Sequence, residues 1–135
     1  MTKQLEKQLY KRFKFLKSFT SAGNFKRIRN GYFPMSCGDG WYNIIYNLFE
    51  HIELELNKLP GAQRKAFIIS DVKEKWGGLR IYAWGGTDFI DELITVVESL
   101  SEQTCETCGK QGKKLCKNGW YYTACPVCAG TLKNV

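Results

Sequence analysis

Two cysteine pairs of identical spacing stand near the end of this 135-residue chain: Cys105-Glu106-Thr107-Cys108 and Cys125-Pro126-Val127-Cys128, sixteen residues apart. Two residues between thiols let both sulfurs turn toward one tetrahedral ion about 2.3 Å away, and two such pairs at this separation are the pattern of a four-cysteine zinc ribbon. Gly109 and the Lys117-Asn118-Gly119-Trp120 stretch supply the tight turns, with Trp120, Tyr121 and Tyr122 entering a strand, so the expectation is a zinc-capped β-hairpin. A segment this short buries too little apolar surface to fold alone, so Zn²⁺ should supply much of its folding free energy. Cys116 is a fifth thiol that could displace one of the four but lacks a paired partner, and Cys37 reads as a small buried apolar residue.

The remaining chemistry is sparse. His51-Ile52-Glu53 followed by a cysteine pair superficially matches the zinc-deaminase signature. However, His51 falls inside a helical stretch, no proline precedes Cys105, and the second pair would have no purpose. Four thiolates close the coordination sphere, whereas catalysis needs an open position for water. The chain is therefore expected to bind rather than catalyse.

Charge is unevenly placed. Residues 1–30 carry nine basic side chains against one acid, residues 31–104 six against eleven, and residues 105–135 five against one. Leu5, Leu9, Phe13 and Leu16 recur at helical spacing among Lys3, Lys7, Lys11, Arg12, Lys14 and Lys17, which gives a basic amphipathic helix. A second cluster follows at Lys26, Arg27 and Arg29. Such a face serves as a solvated surface or as a site for nucleic acid or another acidic partner.

The elements that must position these groups are legible from periodicity. Asp39 is a candidate N-cap for a helix from about Trp41 to Leu59, with Trp41, Ile44, Ile45, Leu48, Phe49, Ile52 and Leu56 on one stripe. Ala66 to Trp84 is β-rich around Gly77-Gly78, which predicts a hairpin with those glycines as its turn and Trp76 opposite Leu79. Alternation then puts Val72, Trp76, Leu79, Ile81 and Ala83 on the core face. Asp71, Lys73, Lys75, Arg80, Tyr82 and Trp84 fall on the other, with Lys75 opposite Arg80. Like charges across a strand pair cost stability unless an anionic ligand or nearby acids such as Asp71, Glu50 or Glu53 lie over them. Glu74 is the misfit among the apolar residues. Thr87-Asp88 opens a third helix with Ile90, Leu93, Ile94, Val97 and Leu100 inward, running to about Gln103 and into the first cysteine pair.

The predicted architecture is α+β: helices packed on a small antiparallel hairpin or sheet, with a C-terminal zinc ribbon. Its divisions are 1–30 (basic helical segment), 31–104 (core) and 105–135 (ribbon). No stretch has membrane-spanning length, and Met1 to Glu6 lacks a secretory apolar run, so a cytoplasmic location is expected.

Cys37-Gly38-Asp39-Gly40-Trp41, Val72 through Tyr82 (VKEKWGGLRIY), the Cys105 knuckle, Gly119-Trp120 and Cys125 together resemble a family of small proteins encoded by bacteriophages and by bacterial genomes carrying prophages. The resemblance covers about residues 31 to 130 and implies a phage-type origin, a bacterial host cytoplasm and a C-terminal metal knuckle, with no established activity to carry over. Relatives often have histidine where Cys128 stands, a ligand exchange, and extra cysteines before Cys37.

Two functions follow as expectations. One is nucleic-acid binding through Lys11, Arg12, Lys14, Lys26, Arg27 and Arg29, the Lys73, Lys75, Arg80, Tyr82 and Trp84 face, and ribbon lysines, by phosphate attraction and base stacking. The alternative is a phage inhibitor or adaptor that uses the same cations to dock on an acidic host protein, such as a defence or nucleic-acid-processing enzyme.

Overall fold

The computed structural model describes residues 1–17 and 34–132; the Lys26, Arg27 and Arg29 cluster lies outside them. Helix α1 (Lys3–Arg12) is capped by Thr2, whose hydroxyl accepts from Leu5 N–H, and a 3-10 turn (Lys14–Lys17) follows. Leu9, Phe13 and Leu16 are buried, as the helical stripe requires, and they belong to the same hydrophobic cluster as the rest of the core. The basic segment is thus packed into the fold at least as far as Leu16.

The stretch read as a connector contains a two-residue strand, β1 (Met35–Ser36), then a 3-10 turn (Asp39–Trp41) and helix α2 (Tyr42–Asn57). Asp39 does not cap this helix. Its Oδ1 instead accepts from Thr2 N–H at 2.7 Å, tying the start of α1 to the start of α2, because the 3-10 turn has already used the entry to the helix. Ile45, Leu48, Phe49, Ile52 and Leu56 are buried along α2. After a short helix α3 (Gly61–Ala66) come strands β2 (Ile68–Lys75) and β3 (Gly78–Trp84), then helix α4 (Asp88–Ser101), capped by Thr87, which accepts from Ile90 N–H at 3.2 Å. Along α4, Ile90 and Ile94 are buried, Leu93 and Val97 half-buried, and Leu100 is exposed near the helix end.

The first sheet has the order β1-β2-β3, with β1 parallel and β3 antiparallel to β2. The hairpin corrects the sequence reading at its tip. Lys75 pairs with Gly78, Glu74 with Leu79, Lys73 with Arg80, Val72 with Ile81 and Asp71 with Tyr82, so the two turn residues are Trp76 and Gly77. Both have positive φ, 55° and 79°, the requirement of a type I′ turn. Glu74, the misfit, closes the turn by accepting from Gly77 N–H at 2.8 Å. Moving the tip by one residue moves each partner by two, which preserves parity, so Val72, Leu79 and Ile81 still face the core and the cations still face out. Trp76 is the exception: it is 62% exposed at the tip and not in the core. A bulge between Ile69 and Asp71 resets the register for the Ile69–Ala83 pair.

Helix α4 lies against α2 and β3. The core between helices and sheet is aromatic-rich, with the Phe13, Phe15 and Phe49 rings meeting edge-on or tilted at 5.5–5.9 Å. The described residues end with a second sheet, β4 (Lys113–Lys117) antiparallel to β5 (Trp120–Ala124), and helix α5 (Pro126–Leu132). The β4-β5 turn, Asn118 (φ 52°) and Gly119 (φ 79°), has the anticipated chemistry. Among the described residues no helix is long and apolar enough to cross a membrane.

Candidate metal centre

Helix α4 delivers the chain into the first knuckle. Its reversal is built from backbone bonds: Gly109 N–H donates to Cys105 O at 2.9 Å, Cys105 N–H donates to Lys110 O at 2.8 Å, and Gly109 takes φ 82°. The second pair straddles the start of a helix, with Cys125 at the end of β5 and Cys128 in the first turn of α5. That is the part spacing alone did not announce. The four-cysteine unit is a knuckle, a hairpin and a helix whose first turn carries the fourth thiol.

The four sulfurs lie within 4.8 Å of one another, with Cys108 and Cys125 3.6 Å apart. A tetrahedral ion with bonds of about 2.3 Å needs sulfurs about 3.8 Å apart, so the donor set fits a single ion. Cys105 and Cys125 are buried, Cys128 is half-buried and Cys108 is exposed, so one edge of the cluster faces solvent. Cys116 projects from β4 opposite Tyr121 and is outside the cluster; Cys37 is buried in the main core, where burial pushes its thiol up to about 12. His51 is exposed on α2, its Nδ1 2.7 Å from Asn47 O.

The thiols divide in their acidity. Burial raises Cys105, but the amides of Cys125, Cys108 and Thr107 aimed at its sulfur prevail and bring it to about 6. Cys125 is lowered, chiefly by Cys128 N–H. Cys128 is raised to about 12, first by the neighbouring Cys125 sulfur and then by burial. The amides thus favour the thiolate form at Cys105 and Cys125, and the neighbouring sulfurs oppose it at Cys128, an opposition that a dication in their midst removes.

The core grips this unit through the segments singled out above for their resemblance. Gly40 N–H donates to Glu106 O at 2.7 Å and Gly38 N–H to Glu106 Oε2 at 2.9 Å. The buried Trp41 indole donates to Thr104 O at 2.8 Å. A Cβ on Gly40 would stand 2.1 Å from Cys105 O, so only glycine admits this approach. On the other side, Thr123 Oγ1 donates to Gly77 O at 2.6 Å, locking the tip of the first hairpin to β5, while within the core Leu79 N–H donates to Ser101 Oγ at 2.9 Å and ties β3 to the end of α4. Burial pushes the Glu106 carboxyl up, and the Gly38 amide pulls it partly back.

The anticipated binding residues fall into separate groups. Lys73, Lys75, Arg80, Tyr82 and Trp84 share the outer face of β2-β3, with Lys73 directly across from Arg80 in place of Lys75. Tyr82 and Trp84 are 42% and 69% exposed, Lys73 Nζ lies 5.4 Å from the Tyr82 ring centroid, and Trp84 Nε1 donates to Ser70 Oγ at 3.3 Å. Arg80 Nη1 donates to Leu79 O at 2.7 Å. Lys11 and Lys14 are exposed, whereas Arg12 is held by both oxygens of Glu53 at 2.9 Å and stands 4.0 Å from Glu50, an acidic match on α2 that sequence reading did not pair with it. Arg64 and Lys65 of α3 join Arg12 and Lys14 around a shallow cavity of about 510 Å³ and were not anticipated; nothing in a six-residue helix announces them. The chain matches no protein-family model, no curated protein and no solved structure.

Proposed function

We propose that this is a non-enzymatic, phage-type protein that binds nucleic acid on the outer face of β2-β3, with Zn²⁺ as the structural ion of its cysteine unit. Four thiolates are soft donors in tetrahedral number, the set Zn²⁺ prefers, and they leave no position for a reacting water. The metal serves folding; the surface serves binding.

The observation that carries the binding reading is the pairing of Lys73 with Arg80 beside exposed Tyr82 and Trp84. Two cations facing each other across a ladder repel. Among the described residues none of Lys73, Lys75 and Arg80 forms an ion pair, although Asp71 shares their face and Glu102, a nearby acid, is engaged by Lys114 at 3.1 Å. A phosphate chain relieves that repulsion, and the exposed rings offer π-faces to bases.

Fluorescence anisotropy with labelled oligonucleotides over a salt series tests the reading. The wild type should bind with an affinity that falls steeply with salt. Lys73→Glu, Lys75→Glu and Arg80→Glu together should abolish binding with the far-UV spectrum unchanged, while neutral replacements at the three positions should reduce the salt slope by about 2. Unaltered binding by the reversed variant overturns it. So does a wild type that ignores nucleic acid but recovers a salt-stable host protein from a bacterial lysate, which is the behaviour of an adaptor or inhibitor.

A further inference from the structure

The position of Trp76 is costly on both counts that decide where a tryptophan goes. It takes φ 55°, a left-handed conformation that Asn, Asp or Gly adopts readily and a bulky side chain does not, and 62% of it is exposed to water. Neither feature helps the chain fold. Strain and exposure together at a fixed point are the mark of a side chain kept for contact with something else.

The tip that carries Trp76 is immobilised by the cysteine unit. Thr123 Oγ1 holds Gly77 O, and Gly77 presses so closely on β5 that an added Cβ would lie 2.9 Å from Tyr122 N. The Trp76 and Tyr121 rings therefore meet edge to face, 6.2 Å apart at 71°, with Tyr121 itself 42% exposed and Lys114 Nζ 5.7 Å from its ring centroid. Two hairpins, one from the core and one from the cysteine unit, together present one aromatic step flanked by Lys75 and by Lys114, whose Nζ also lies 3.1 Å from Glu102 Oε1.

We infer that Trp76 and Tyr121 form a stacking step for an unpaired nucleobase, so that the protein selects single strands over duplex. This rests on the nucleic-acid reading above and deepens it. The step lies at the end of the cationic outer face: from the Asp71–Tyr82 pair to Trp76 is five residues of strand, about 17 Å. A backbone following Lys73, Arg80 and Lys75 arrives at the rings with its bases free to turn toward them. A duplex keeps its bases stacked inside and offers the rings nothing, whereas every unpaired base has an open π-face. Exposed Lys75, in no ion pair among the described residues, and the Lys114–Glu102 pair beside Tyr121 favour this occupant over an apolar protein surface, for which charged groups at the rim would be a desolvation cost.

The test uses the protein as purified with its metal and three labelled probes of equal length: an oligothymidylate, its abasic counterpart and a mixed-sequence duplex. Trp76→Asn replaces a strained residue with one suited to the same φ, so its melting temperature should hold or rise while affinity for the oligothymidylate falls about tenfold. Affinity for the abasic strand and the duplex should not change. Tyr121→Leu, which leaves the turn untouched, should weaken oligothymidylate binding in the same selective way. The inference is overturned if either variant binds oligothymidylate like the wild type, or loses all three probes equally. A wild type that binds none of the probes removes the underlying reading, and the inference falls with it; a wild type that binds duplex and single strand alike removes the inference alone.

Discussion

The helical core and the cysteine unit are held by different physics. The core buries Trp41, Phe13, Phe49, Phe67 and a set of aliphatic side chains from the helices and strands before residue 101 other than α3, enough apolar surface to fold by exclusion of water. The cysteine unit buries Cys105, Ala124, Cys125 and Ala129, of which two are proposed ligands. Its strands also leave Trp120 and Tyr121 exposed. A region with so little to bury must be ordered by something else, and two devices are present: the clustered sulfurs and the hydrogen-bonded seam to the core. The core should persist without metal, and the unit should not.

Metal removal gives the largest expected effect. In Cys125→Ser, or with a strong chelator, amide exchange protection should vanish from Thr104 to Leu132 while α2, β2 and β3 keep theirs. The linked free energy is on the order of 10 kcal/mol for structural zinc sites. Parallel loss of protection in both regions, followed by hydrogen–deuterium exchange, would break the comparison, making the chain one cooperative body.

Next in size is the core's own anchor. Trp41→Ala should cost about 3–5 kcal/mol in urea unfolding. Trp41→Phe, which keeps most of the volume but leaves Thr104 O without its indole donor, should cost about 1–3 kcal/mol. A smaller effect is expected at the seam. Gly40→Ala forces a Cβ against the Cys105 carbonyl, an overpacking that should destabilise by about 1–3 kcal/mol, with metal content retained and exchange quickened mainly after Thr104. The smallest effects belong to groups outside both devices. Cys116→Ser should leave metal content unchanged, and Arg12→Ala should lower thermal stability slightly and mainly at low salt, since Arg12 and Glu50 are exposed and Glu53 is only half-buried.

The features legible in the sequence are those with short-range signatures. The four cysteines announce their cluster by spacing, Asn118-Gly119 announces its turn, and α2 and α4 announce themselves by apolar period. The first hairpin was legible in its existence and its faces but not in its tip. Gly77-Gly78 looks like the turn because glycine carries no left-handed penalty, yet the turn recruits Trp76. Its geometry is held locally by Glu74, which accepts from Gly77 N–H, and from outside by Thr123, which donates to Gly77 O. Contacts of long sequence separation leave no local trace, and the seam consists of them. Nothing in Cys37-Gly38-Asp39-Gly40-Trp41 alone says that its glycines lie against Cys105 and Glu106, nor does α1 reveal that Arg12 finds Glu53. The parallel pairing of Met35 with Val72 is hidden for the same reason.

Elemental analysis combined with thiol titration of the natively purified protein bears most directly on the claim that a metal orders the tail. The account predicts stoichiometric zinc in the wild type and none in Cys125→Ser. Cys116 should react promptly with a thiol reagent, the four clustered sulfurs only after chelation, and buried Cys37 only after unfolding. A metal-free protein whose exchange protection across β4, β5 and α5 is indifferent to chelator would contradict it.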